Sequence, residues 1–141
     1  MNYSIHYTHA YDYRPVPEWG RQPIVMTELF HGHNRVLVST LLDTGAFRPL
    51  FGVHIAEQYL GIDWRKLPVE SVVGVGGSLK CYKSNLRLRF GPIVRPIECQ
   101  VYFAQGLKLN LLGRAGTFDH VQIGVDEAAR KIYMALNTTT P

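Results

Sequence analysis

Asp43 is the residue in this chain best placed for acid–base chemistry. The stretch Leu41-Leu42-Asp43-Thr44-Gly45-Ala46 sets a single carboxylate at the end of an apolar run and follows it with a turn glycine. The run from Arg35 to Leu42 is expected to be a buried strand that ends at the acid. Thr44 then supplies a hydroxyl for hydrogen bonding, and Gly45 permits a sharp turn. Two readings of this carboxylate stand side by side: an Asx turn that caps a strand, and an acid held out for chemistry. The other reactive side chains offer less. Cys81 and Cys99 have no CxxC spacing and read as two reduced, buried thiols. His31-x-His33 places two imidazoles in a turn with no further ligands in reach of the pattern, so neither a metal nor a cofactor is expected.

The elements that must position Asp43 are mostly strands. Gln22 to Leu29 is β-prone, and Phe30-His31-Gly32-His33-Asn34 supplies turn chemistry, so this segment and the strand ending at Asp43 form a hairpin. After Pro49 the period changes: Val53, Ile55, Ala56, Tyr59 and Leu60 share one helical face, and Gly61 is set to end the helix. Val69 to Val73 reads as a strand running into Gly74-Val75-Gly76-Gly77, with Leu79 to Tyr82 extended on the far side as the other arm of a mobile hairpin. Leu86, Leu88 and Phe90 alternate with Arg87 and Arg89, Gly91-Pro92 breaks that strand, and Ile97 to Phe103 forms the next. Ala115 to Asp119 is expected to make a short helical turn. Strands follow at His120 to Val125 and Lys131 to Leu136. Short, evenly spaced strands with one or two short helices predict an all-β, small closed barrel-like fold. Residues 1–21, rich in tyrosine and without clear periodicity, read as an N-terminal arm that packs by its rings more than by regular structure. Residues 22–136 are expected to form the domain, and residues 137–141 a frayed C-terminal tail.

Composition narrows the function classes. A chain of 141 residues with 46% hydrophobic and 18% charged residues has the size and balance of one globular domain, and 13 Gly with 8 Pro imply many turns. The net charge of +4 comes from 15 basic and 11 acidic residues that are scattered, with no basic stripe, so no nucleic-acid partner is expected. No apolar stretch is long enough for a membrane span, and the segment from Met1 to His6 lacks the features of a signal peptide; the expectation is a cytoplasmic protein with no membrane partner.

Three motifs occur in one order: Leu-Leu-Asp43-Thr44-Gly45-Ala46, the glycine hairpin Val73-Gly74-Val75-Gly76-Gly77, and Asn110-Leu111-Leu112-Gly113-Arg114. Together they resemble the retropepsin-like (retroviral-type) aspartic proteases over about Pro23 to Leu136. Leu60-Gly61-Ile62 and the tail from Phe118 to Leu136 look more like the cellular and bacterial members than the viral ones. The resemblance implies an acid-protease fold and an aspartic endopeptidase acting on peptides or proteins. With one Asp-Thr-Gly per chain, it also implies a homodimer in which each subunit contributes Asp43. Under the same resemblance Thr44 locks the two active-site loops together, Gly45 lets backbone approach substrate, and Ala46 lines the pocket. Gly74, Val75, Gly76 and Gly77 form a flap that closes over the peptide, and Gly113 and Arg114 make the supporting Gly-Arg motif.

This sequence departs from the viral pattern at three positions. Phe47 stands where an acid usually follows the Asp-Thr-Gly-Ala motif, Pro49 replaces a common Thr or Ser, and Ala115 replaces Asp or Asn. Arg114 therefore lacks its usual carboxylate and is expected either to find another acceptor or to be exposed. Phe47 and Phe51 point to a more apolar groove or a different interface. A binding or assembly module with the same fold but no proteolysis is the alternative these departures leave open.

Overall fold

The computed structural model describes residues 1–138, so part of the expected tail, residues 139–141, lies outside the described residues. The strands in chain order are β1 (His9–Asp12), β2 (Arg14–Val16), β3 (Gly20–Gln22), β4 (Ile24–His31), β5 (Asn34–Leu42), β6 (Leu50–Gly52), β7 (Val69–Gly74), β8 (Gly77–Phe90), β9 (Ile97–Ala104), β10 (Asn110–Leu112), β11 (Val121–Asp126) and β12 (Lys131–Leu136). The one α-helix among the described residues, α1 (Val53–Tyr59), follows β6 directly, and a single 3-10 turn covers Trp64–Lys66.

The principal sheet closes on itself. Its order is β4-β5-β10-β6-β9-β8-β7, and an additional β4–β8 pairing joins the first strand back to β8, leaving β7 outside the ring. Closure removes the open edges that a flat sheet of this length would present. Glu28 of β4 sits opposite Arg89 of β8 in the closing pair, and their side chains form an ion pair across the seam. The core inside the ring is apolar and fully buried at Leu29, Phe51, Leu88, Val101, Phe103 and Leu112. Two threonines lie among these residues. The Thr40 hydroxyl donates to the Val25 carbonyl at 2.7 Å, which leaves its oxygen to accept from the Thr27 hydroxyl at 2.8 Å.

The sequence pattern and the structure differ in four instructive places. β5 is half-buried where a buried strand was expected: Val38, Thr40 and Leu42 face the core while Leu37 is 60% exposed, because the ring has only one covered face. β8 is a single strand of 14 residues, its first part paired with β7 and the rest with β9 and β4, so the two extended segments read from sequence are one. Tyr59 is exposed, unlike Ile55, Ala56 and Leu60. The Leu60 N–H bonds to the Ile55 carbonyl, five residues back, which widens the last turn of α1 and swings Tyr59 off the buried face before Gly61, at φ 65°, ends the helix. Residues 115–119 form successive hydrogen-bonded turns and no helix; the N–H groups of Thr117 and Phe118 both bond to the Arg114 carbonyl.

Residues before Pro23 also carry more regular structure than their composition indicates. β1 pairs antiparallel with β12, which pairs with β11, to make a three-stranded sheet, and β2 pairs with β3. Tyr13 is buried to 1% exposure, with its hydroxyl donating to Glu127 Oε2 at 2.7 Å. Pairing with a strand distant in sequence, invisible to local periodicity, orders this segment. No helix among the described residues is long and apolar enough to cross a membrane.

Candidate active site

Asp43 follows the last residue of β5, at the point where three strands converge. β10 runs parallel to the end of β5, with Asn110, Leu111 and Leu112 opposite Thr40, Leu41 and Leu42, and Leu111 also pairs with Leu50 of β6. β10 thus lies between the strand that leads into the Asp43 loop and the strand that leads out of it. Asn110 fastens the same junction by its side chain, donating to the Ser39 carbonyl at 3.1 Å and accepting from the Gly52 N–H at 3.0 Å. The Asp43 N–H bonds to the Leu112 carbonyl at 3.2 Å, which ties the acid itself to β10.

The loop around the carboxylate is an Asx turn, so that reading of the sequence holds. The Gly45 N–H donates to Asp43 Oδ1 at 2.9 Å, and a Cβ at position 45 would lie 3.2 Å from the same oxygen. Oδ2 has no protein partner among the described residues. The turn therefore orients the carboxylate without consuming it. Gly113 and Arg114 support the loop from behind: the Arg114 N–H bonds to the Ala46 carbonyl at 3.0 Å, and the Ala115 N–H to the Phe47 carbonyl at 2.6 Å. A Cβ at Gly113 would stand 2.4 Å from the Arg48 backbone and 2.9 Å from the Ala46 carbonyl, so only glycine permits this approach. The Arg114 side chain is exposed, the second of the outcomes expected for it.

Across from Asp43 stands the β7–β8 hairpin, with Val75 and Gly76 as its two-residue tip and Gly77 at φ 117°. Val73 and Val75 are exposed, the latter completely. An open cleft of about 700 Å³ lies between loop and hairpin; Asp43, Gly45 and Ala46 line one side and Gly74, Val75, Gly76 and Gly77 the other. The structure thus brings the first and second motifs to one cleft, together with Leu111 of the third, and sets Gly113 and Arg114 behind it. Thr44 is exposed and does not line the cleft.

Residues outside the motifs also line the cleft. Phe47, 61% exposed, and Arg48 follow the loop, while Tyr102 comes from β9 and Cys81 from β8. The Tyr102 hydroxyl donates to Glu70 Oε2, and Lys83 Nζ donates to Glu70 Oε1 at 2.7 Å. Lys83 first and Tyr102 second hold the Glu70 carboxyl below its ordinary range, whereas the bond to Glu70, and then burial, raise the Tyr102 hydroxyl. Burial, with a smaller contribution from Glu70, raises the Cys81 thiol and keeps it protonated, so it is no thiolate nucleophile. The alternation of β8 and β9 places these side chains, yet no spacing in the sequence marks them as neighbours of Asp43. Among the described residues no cluster of three or more His, Cys, Asp or Glu is disposed to hold a metal; His31 Nδ1 lies 3.1 Å from the Leu60 carbonyl at the end of α1.

This architecture is the retropepsin-like fold of aspartic proteases. The chain superposes on a retropepsin-like aspartic protease from Rickettsia conorii with a TM-score of 0.62 at 17% identity, over 89% of this chain and 98% of that one. It superposes on EIAV protease, solved with the inhibitor HBY-793, with a TM-score of 0.54 at 21% identity, over 70% of this chain and 88% of that one. The fold agrees with the resemblance drawn from the three motifs, and the bacterial structure overlaps more of the chain than the viral one. No protein-family model and no curated protein sequence matches the chain.

Proposed function

We propose that the protein is an aspartic endopeptidase that works as a homodimer, with one Asp43 from each subunit. The observation that carries this reading is the setting of Asp43. It is fixed at the convergence of β5, β6 and β10, with one carboxylate oxygen held by the Gly45 N–H, and it faces a hairpin across an open cleft. One carboxylate cannot both activate water and protonate the substrate. Two that share a proton can: the ionised member takes a proton from a bound water as its oxygen attacks the peptide carbon, and the protonated member polarises the carbonyl. A proton then passes to the departing nitrogen as the C–N bond breaks. A two-fold axis beside Asp43 supplies the second acid from an identical chain.

The remaining motif residues have supporting parts. Thr44, exposed in the single chain, is available to bond across the axis to the partner's loop, and Gly45 brings backbone close to the peptide. The hairpin from Gly74 to Gly77 acts as the flap that covers substrate and excludes water. The experiment is cleavage of a peptide pool by the purified chain at acidic to mildly acidic pH. Products should appear with the native chain, be suppressed by a statine-type inhibitor, and vanish in Asp43→Asn; undiminished cleavage by that variant rules the mechanism out.

A further inference from the structure

Arg48 has no direct ion pair among the described residues; the Tyr102 hydroxyl lies beside it, and the Glu70 carboxylate acts on it only at longer range. Its guanidinium carbon lies 5.1 Å from the centroid of the Phe47 ring and 5.9 Å from that of Tyr102, within range of cation–π attraction to both. It makes no ion pair within 4.0 Å among the described residues, and its Nε is buried with no hydrogen-bond partner. The nearby carboxylate is already engaged, since Glu70 gives one oxygen to Lys83 and the other to Tyr102. Arg48 nevertheless lines the same cleft as Asp43, five residues along the chain from it.

The backbone on both sides of Arg48 is tied to neighbouring segments. Gly113 packs against its carbonyl, the Phe47 carbonyl accepts the Ala115 N–H, and the Pro49 carbonyl accepts the Tyr102 N–H at 2.9 Å. Two rings and a tethered main chain hold the charge in place before any ligand arrives, which lowers the ordering cost of binding. A half-buried guanidinium whose Nε has no partner is matched by a carboxylate, which it binds by short charge-assisted hydrogen bonds. With Asp43 assigned to the reaction and Glu70 engaged by Lys83 and Tyr102, a peptide side chain lying in the cleft can supply the carboxylate.

We propose that Arg48 makes the cleft selective for peptides carrying a Glu or Asp side chain close to the scissile bond, with the guanidinium receiving that carboxylate. This selectivity rests on the proteolytic reading of the cleft.

The test uses the full chain and paired peptides that differ only by Glu or Gln at each position flanking the cleaved bond. At one position the Glu peptide should exceed the Gln peptide in kcat/KM by about tenfold or more, the discrimination a charge-assisted bond supplies. Arg48→Gln should bring that ratio near one, and Arg48→Glu should shift preference to a Lys peptide. Equal rates for Glu and Gln at every position with the native enzyme overturn the selectivity and leave proteolysis standing. Absence of Asp43-dependent cleavage overturns the proteolytic reading instead. In that event, binding of the same labelled pairs to Asp43→Asn decides the selectivity: tighter binding of the Glu peptide upholds it, and equal or undetectable binding rejects it. Because the paired peptides are read on the native Arg48, a variant that fails to fold does not weaken the test.

Discussion

Gly113 and Arg48 approach so closely that a single methyl group on the glycine would stand 2.4 Å from the arginine carbonyl. That contact joins the Gly-Arg motif to the loop carrying the catalytic candidate and sets the direction in which Arg48 leaves the backbone. Gly113→Ala should therefore lower stability by about 1–3 kcal/mol, the usual range for overpacking. Cleavage should fall further than the loss of folded protein explains, because the Asp43 loop shifts as well. Thermal unfolding and single-turnover assays on the same preparation separate the two effects; wild-type behaviour in both would show that the loop tolerates the displacement.

The threonine pair under β5 allows a comparison of two similar substitutions. Thr40 donates to the Val25 carbonyl and accepts from Thr27. Thr40→Val leaves both partners unsatisfied in a buried site and should cost about 1–3 kcal/mol, whereas Thr27→Val removes only a donor and should cost less. The double variant should recover part of the Thr40→Val loss. Urea unfolding of the four proteins measures the coupling, and strict additivity would contradict it.

Tyr13 should make stability fall at high pH. Burial first, and the Glu127 hydrogen bond second, push its hydroxyl up to about 12. The folded state then keeps a proton that the unfolded chain releases near its ordinary value of about 10. Its contribution is complete below about pH 10 and is lost as pH rises toward about 12. In Tyr13→Phe, the part of the alkaline stability loss that falls between those values should disappear. An unchanged profile would place the titrating group elsewhere.

The thiols should be inert in the native protein. Burial raises Cys99 to about 12 and also raises Cys81, and both are free and buried. Alkylation should proceed at the rate of unfolding and accelerate in denaturant. Rapid native-state labelling of Cys81 would show that the cleft opens to expose it.

Several strands and the Asp43 loop were legible in the sequence because they are written locally: alternation marks the Leu86–Phe90 end of β8, and the turn chemistry around Gly32 and Gly76 marks two hairpins. The Asp43 loop was legible because an Asx turn needs only the residues it contains. What local pattern does not carry is partnership at a distance. The pairing of β1 with β12, the β4–β8 seam and the insertion of β10 between β5 and β6 are decided by which apolar faces can be buried together. The same holds at the cleft. Arg48 and Phe47 adjoin the motif in sequence, but Tyr102 reaches Arg48, and Glu70 and Lys83 reach Tyr102 in turn, only through strand register, which no local pattern carries. Tyr59 fell on the expected helical face yet is exposed, since the widened last turn of α1 follows from main-chain bonding at Leu60 and not from side-chain period.

The shared-dyad mechanism is tested most directly by titrating Asp43→Asn chains into a fixed amount of wild-type chain, after exchange of subunits, and following peptide cleavage. If each active site needs one Asp43 from each of two chains, mixed dimers are dead, and activity per wild-type chain should fall in proportion to the wild-type fraction of the mixture. Activity that stays constant as the variant is added, under conditions where mixed dimers are shown to form, would mean that one Asp43 suffices and would contradict a site built from two copies.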